Sequence, residues 1–97
     1  MLNTDTVYCI MRNDSVLGDT HLCGVFLDGH EANEIFDTIV NFIIKMHKEE
    51  LGNKNCIAKD STADYYPNFI RATTININED LWELIWIERR KLNQYYI

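Results

Sequence analysis

The feature that most constrains the fold of this chain is a long amphipathic pattern that predicts a helix from Asp28 to Leu51. Asp28 and Glu31 have the spacing of a capping box, whose side chains accept hydrogen bonds from backbone N–H groups at a helix start. Gly52 suits the left-handed residue that ends many helices. The helix would be about 23 residues and roughly 34 Å long, enough to cover a small sheet. Its apolar face contains Ala32, Ile35, Phe36, Ile39, Val40, Phe42, Ile43 and Met46.

The segments around that helix predict three strands. Thr4–Arg12 has little polar interruption on either face, which is typical of an inner strand. Thr20–Leu27 follows turn residues, and its Gly24 predicts a bulge or a close approach of the helix. Phe69–Asn78 alternates with strand periodicity. Residues 52–66 predict a loop, with a short edge strand or a helical turn inside it as open alternatives.

The C-terminal segment predicts a second helix that begins at Asn78. Acidic residues follow Asn78 and basic residues come late, as the helix dipole favours. Trp82 and Trp86 form an apolar stripe beside Arg89, and they either complete a small core or form a partner surface. The expected fold is α+β, in the order β-β-α-β-α, as a single domain over residues 1–97. Its three-stranded antiparallel sheet is covered by the long helix, and the second helix lies at the C-terminus.

Composition and charge narrow the classes of function. The chain has 97 residues, of which 46% are hydrophobic, and this is enough for one globular domain. Its net charge of −6 disfavours direct binding to nucleic acid, which needs clustered lysine and arginine. The long helix is interrupted too often by charged residues to span a membrane. Three cysteines and the lack of a leader-like start predict a reduced protein of the cytoplasm.

The sequence contains no Gly-rich phosphate loop, no paired Cys-x-x-Cys and no nucleophile elbow, so we predict a non-enzymatic protein without cofactor or metal. The alternative is a small metal- or ligand-binding enzyme that uses His21, Cys23 and His30, with Asp19 or Asp28, near the strand-to-helix junction. That spacing matches no recognised zinc pattern. Catalysis by Cys23 or Cys9 beside His21 would also need a third, orienting residue, which the sequence does not place.

Acidic residues recur along the exposed face of the long helix, among them Glu34 and Asp37. A solvated helix face is the ordinary interpretation of such a series. The functional interpretation is a negative strip that docks into a basic groove of another protein. Together with Trp82, Trp86 and Arg89, these two carboxylates are the candidate partner-binding residues.

Short structural patterns that cover most of the chain in outline resemble a known group of proteins. Val7-Tyr8-Cys9-Ile10 is followed by Gly24-Val25-Phe26, which continues directly into a helix with Glu31-Ala32, and a strand comes late. In outline this resembles the small accessory proteins of phages and mobile genetic elements. Some of these, including anti-CRISPR and other anti-defence inhibitors, bind and block a host protein.

The resemblance implies an inhibitor of a host defence protein that acts in the host cytosol. It implies a hairpin, one covering helix and a returning strand, and it transfers no catalytic residue. The long helix and the Trp82-bearing segment depart from that outline. A homodimer formed through the C-terminal helix is a companion prediction, because a symmetric pair would bury the leftover tryptophan stripe.

Overall fold

A computed structural model describes residues 6–14, 18–61, 69–78 and 81–91, and in these ranges one helix packs on a five-stranded antiparallel sheet. The spatial order of the strands is β2-β1-β5-β4-β3. The elements in chain order are β1 (Thr6–Asp14), β2 (Thr20–Phe26), α1 (Gly29–Lys45), a π-helical turn (Met46–Glu50), β3 (Ile57–Ser61), β4 (Phe69–Asn76) and β5 (Trp82–Lys91).

The predicted position of the long helix is confirmed, and so are Asp28 as its N-cap and Gly52 as the left-handed residue after its end. Asp28 caps the start, because its Oδ1 accepts a hydrogen bond from the backbone N–H of His30 at 2.9 Å. The helix continues through the π-helical turn, which Leu51 closes with a 3.2 Å bond to the carbonyl of Met46. Gly52 follows with φ of 72°. No helix in the described ranges combines the length and hydrophobicity needed to cross a membrane.

Gly52 gives a testable measure of this helix end. Among the described residues no atom lies within 4 Å of the position that a Cβ at Gly52 would occupy, so only backbone strain opposes a side chain there. We expect Gly52→Ala to lower the free energy of unfolding by about 1 kcal/mol, measured by urea denaturation. Gly52→Asn is the matched control and should lose less, because asparagine tolerates the left-handed conformation. Equal losses of stability in the two variants would contradict the conclusion that the positive φ of residue 52 opposes a side chain there.

The predicted three-stranded sheet is wrong in strand number. The three predicted strands exist as β1, β2 and β4, and β1 is an inner strand as expected. A fourth strand, β3, lies inside the predicted loop and pairs with β4 at the edge of the sheet. The β1–β2 pairing is irregular at Cys23, next to Gly24, as the glycine suggested.

The predicted C-terminal helix is also wrong, because this segment forms β5 in the centre of the sheet. β5 pairs with β1 on one side and with β4 on the other. Its side chains from Glu83 to Glu88 are buried or half-buried on both faces, and the four residues between these two glutamates are all apolar, so the sequence shows no alternation there. Asn78 does accept a hydrogen bond, from the N–H of Leu81 at 3.0 Å, but it closes the β4–β5 connection instead of capping a helix. Glu79 and Asp80 lie outside the described residues.

The core lies between α1 and one face of the sheet, here called the helix-covered face. Phe36 is fully buried at its centre, and the guanidinium of Arg71 lies 4.5 Å above its ring. Alternation along each strand places every second side chain on this face. The buried side chains of the core are Ile10, Ala32, Phe36, Val40, Ile43, Cys56, Ile75, Ile77, Ile85 and Ile87.

Candidate functional site

Trp82 and Trp86 lie on the sheet face opposite the helix, because they alternate with Ile85 and Ile87, which pack in the core. Trp86 is 8% exposed and stacks on Phe69 with the ring centroids 5.2 Å apart. The Trp86 indole N–H donates to Glu88 at 3.0 Å. Trp86 is therefore a packed residue of the structure, as one of the two interpretations of the sequence expected.

Trp82 has a different environment. It is 42% exposed at the start of β5. Its strand neighbour on β4 is Asn76, which is also exposed, and Asn76 in turn pairs with Ile57 on β3, which is 63% exposed. These three residues form a row across three strands on the face opposite the helix, here called the Trp82 patch. The sequence placed Ile57 in a loop, because the five residues of β3 are too few to show a strand pattern.

Arg89 does not join the two tryptophans. The helical wheel grouped Trp82, Trp86 and Arg89, but strand alternation places Arg89 on the helix-covered face, opposite Tyr8 of β1. The arginine on the tryptophan face is Arg90, whose Nε donates to Glu88 at 2.8 Å. The predicted three-residue stripe therefore does not exist as one surface.

A polar hollow adjoins the Trp82 patch at Asn76. Its volume is about 740 Å³, and it lies between the residues that follow the π-helical turn and the end of β4. The lining is rich in carboxamides and includes one lysine ammonium, so it can donate and accept several hydrogen bonds. The residues that line it are Gly52, Asn53, Lys54, Asn55, Asn76, Ile77 and Asn78.

Both predicted carboxylates of the helix contact a side chain of a basic residue. Glu34 is 3.1 Å from Nε2 of His30, one turn earlier, and its side chain stays 69% exposed. Asp37 is 2.6 Å from Arg71 of β4, with its side chain 57% exposed. Arg71 also donates to Asn33 at 2.9 Å, so this flank of α1 is tied to β4. Asp37 therefore has a structural contact besides any role toward a partner.

The strand-to-helix junction does not gather a metal site in the described part of the chain. His21 and Cys23 lie on β2, and His30 is in the first turn of α1 beside Glu34. No group of three or more histidine, cysteine or acidic side chains in these ranges is arranged to hold a metal ion. The observation that would have favoured the metal-binding alternative is therefore missing there.

The thiols also give little support to nucleophilic catalysis. Desolvation raises the pKa of all three thiols, those of the buried Cys9 and Cys56 and that of Cys23, whose residue surface is exposed. At Cys23 the positive charge of Arg12 acts against this increase, and the negative charge of Glu83 adds to it. A raised pKa lowers the fraction of thiolate, which is the reactive form.

An ion pair that the sequence did not predict lies on the helix-covered face. Nη2 of Arg12 donates to Oε1 of Glu83 at 2.5 Å, and the Glu83 side chain is only 6% exposed. Among the described residues, Oε2 of Glu83 and Nε of Arg12 are buried without a hydrogen-bond partner. The sequence predicts a helix at Glu83, and a helical pattern does not indicate that this side chain is buried in a sheet.

The Trp82 patch and the polar hollow together place exposed apolar side chains beside carboxamides at one end of the sheet. Comparisons with protein-family models, with curated proteins and with solved structures find no match to this chain.

Proposed function

We propose that this chain is a non-enzymatic, acidic protein-binding module that binds and blocks a host defence protein in the host cytosol. This is how some of the phage and mobile-element accessory proteins that its sequence resembles act. The observation that carries the proposal is the Trp82 patch, in which an exposed tryptophan and an exposed isoleucine flank Asn76 in one row across three strands. Tryptophan is among the residues most enriched at the energetic centre of protein interfaces.

The polar hollow supports the same assignment. Protein interfaces combine an apolar anchor with a polar rim of about one hydrogen bond per 100–200 Å². Here Asn76 belongs to both the Trp82 patch and the hollow, so a bound protein could pack on Trp82 and reach the carboxamides next to it. The backbone of a partner loop offers the donors and acceptors that asparagine side chains pair with.

The charge of the chain favours a basic partner. The net charge is −6, and the carboxylates of Glu34 and Asp37 stay more than half exposed despite their contacts with His30 and Arg71. An acidic surface speeds association with a positively charged groove, and salt screens this effect. We therefore expect the association rate with the host protein to fall as ionic strength rises.

The test compares three forms of the immobilised chain in lysate of a bacterial host. Wild type is expected to retain one basic protein in stoichiometric amount, and Trp82→Ser is expected to lose it. Leu51→Ser, which alters another exposed apolar residue, should retain it. With the purified partner, Trp82→Ser should weaken binding by about thirtyfold, the effect of a hot-spot residue.

A second assay tests the inhibitory role. Wild type, expressed in bacteria that carry a defence system against a phage, is expected to restore plaque formation, and Trp82→Ser is expected not to. Retention of the same protein by wild type and Trp82→Ser would exclude the Trp82 patch as the binding surface. Binding without any effect on defence would reject the inhibitor role and keep the binding module.

A further inference from the structure

The two edges of the sheet differ in how well they are protected. β2 forms one edge, and its seven residues contain no lysine, arginine, aspartate, glutamate or proline. β3 forms the other edge with five residues, including Lys59 and Asp60. An edge strand presents unpaired backbone donors and acceptors, and charged residues or proline normally prevent it from pairing with another chain. Within the described residues, the irregularity at Cys23 is the only such feature that protects β2 from pairing with another chain.

Exposed apolar side chains gather along the same edge. Leu22 is 58% exposed and Val25 is 52% exposed, both on β2. Leu27, directly after the strand, is 71% exposed. Leu22 and Val25 thus lie within a strand that has no acidic or basic residue other than His21. The outer backbone groups of this strand face no neighbouring strand in the described part of the sheet.

One flank of α1 adds two more exposed apolar residues on this side. Arg71 of β4 contacts Asn33 and Asp37, so the flank that carries those residues faces β4. Ile35 and Phe42 lie on the opposite side of the buried stripe, since each residue advances 100° around a helix. Their flank therefore faces β1 and β2, and they are 37% and 65% exposed.

We propose that β2 pairs in an antiparallel manner with β2 of a second copy of this chain, about a twofold axis near Cys23. The two sheets then form one continuous sheet, with both helices on the same face. Leu22 would face Val25 of the second copy on the sheet face opposite the helix, and His21 would face Phe26 on the helix-covered face. The segments on either side of the Cys23 irregularity pair with each other, so the irregularity lies at the axis.

A second copy fits this edge better than an unrelated protein for two reasons. An uncharged strand that pairs with itself opposes no like charges. The same twofold axis also brings the Ile35 and Phe42 flanks of the two helices toward each other, over the joined strands. A twofold interface uses the same surface on both subunits, and here strand and flank lie on one side of the molecule.

This dimer replaces the one predicted through a C-terminal helix, since that segment is β5 and has a strand on each side. It is independent of the proposed function. The Trp82 patch includes β3 and lies toward the other edge of the sheet, so the dimer leaves it accessible.

Sedimentation equilibrium on the purified full chain tests the proposal, with Val25→Lys and Ile57→Lys as a matched pair. Both replace an exposed apolar residue of an edge strand by lysine, one on β2 and one on β3. Wild type and Ile57→Lys are expected to form dimers, and Val25→Lys is expected to raise the dimer dissociation constant at least tenfold. Circular dichroism should show that the three chains share one fold.

Two further measurements separate this dimer from other associations. Phe42→Glu alters only the helix flank and is also expected to weaken the dimer at least tenfold. Two copies of an acidic chain repel each other, so the dimer should become tighter as salt rises, whereas binding of a basic peptide would become weaker.

Chemical cross-linking tests the position of the axis. A short bismaleimide is expected to link two wild-type chains through Cys23, the exposed cysteine among three, and Cys23→Ser should abolish the link. A monomeric wild type, or a dimer lost in Ile57→Lys and kept in Val25→Lys, would overturn the proposal. Failure of the dimer leaves host-protein binding at Trp82 unchanged, so the two proposals fail separately.

Discussion

Phe36→Ala is expected to lower the free energy of unfolding by about 4 kcal/mol, measured by urea denaturation. Phe36 is fully buried between α1 and the sheet, so its removal takes apolar surface out of the core and leaves a cavity. The ring also supports the guanidinium of Arg71, 4.5 Å from its centroid, and this cation–π contact is lost with it.

Two further variants identify the cause of that loss. Phe36→Leu keeps most of the volume but removes the ring, and it should cost about 1 to 1.5 kcal/mol. Thr38→Ala on the exposed side of the same helix should change stability by less than about 0.5 kcal/mol. A loss below 2 kcal/mol for Phe36→Ala would mean that the helix does not pack on the sheet through this residue.

Arg12→Met is expected to lower the free energy of unfolding by about 3 kcal/mol, because it leaves Glu83 as a buried carboxylate without its cation. This expected loss of stability lies at the lower end of the range for breaking a buried ion pair, because the Arg12 side chain is 32% exposed. Glu83 Oε2 already has no hydrogen-bond partner among the described residues, so no second contact there compensates.

The double variant Arg12→Met with Glu83→Met should recover most of that stability, because an apolar pair has no charge to desolvate. Arg89→Met is the control, since Arg89 lies on the same sheet face but is exposed. It should change stability by less than about 0.5 kcal/mol. A double variant as unstable as Arg12→Met alone would show that the loss comes from packing and not from the unpaired charge.

The elements with local signals could be predicted from the sequence. The helix is defined by contacts between residues three and four apart and by Asp28 and Gly52 at its ends, so its pattern is complete within one segment. β1, β2 and β4 also show their alternation locally. β3 could be predicted only as one of two alternatives within the 52–66 loop, because five residues carry too little periodicity to distinguish a short edge strand from a helical turn.

β5 shows why a buried central strand is misread as a helix. Its burial depends on strands from distant parts of the chain, β1 and β4, and on α1 over one face. A strand packed on both faces has apolar residues at both alternate positions, and any such run also fits a broad helical stripe. The charges at its ends matched the helix dipole, and this local signal was outweighed by tertiary pairing.

Because β5 was predicted as a helix, the residues of the predicted partner-binding surface were grouped by helical spacing. A helical wheel groups residues three and four apart, whereas a strand groups residues two and four apart. Trp82 and Trp86 satisfy both spacings and share a face in either structure, but Arg89 fits only the helical one. The Trp82 patch joins β3, β4 and β5, so no single segment of the sequence could reveal it.

The central position of β5 has a consequence for how the chain acquires its structure. Thr6 pairs with Lys91, and the β1–β5 ladder is the most extensive contact in the sheet. During synthesis β1 is made long before β5. The edge of β1 that pairs with β5 therefore has no partner strand until the segment up to Lys91 has left the ribosome. Pairing between residues so far apart slows folding. We expect the nascent chain to bind chaperones and to complete its sheet only after β5 has emerged from the ribosome.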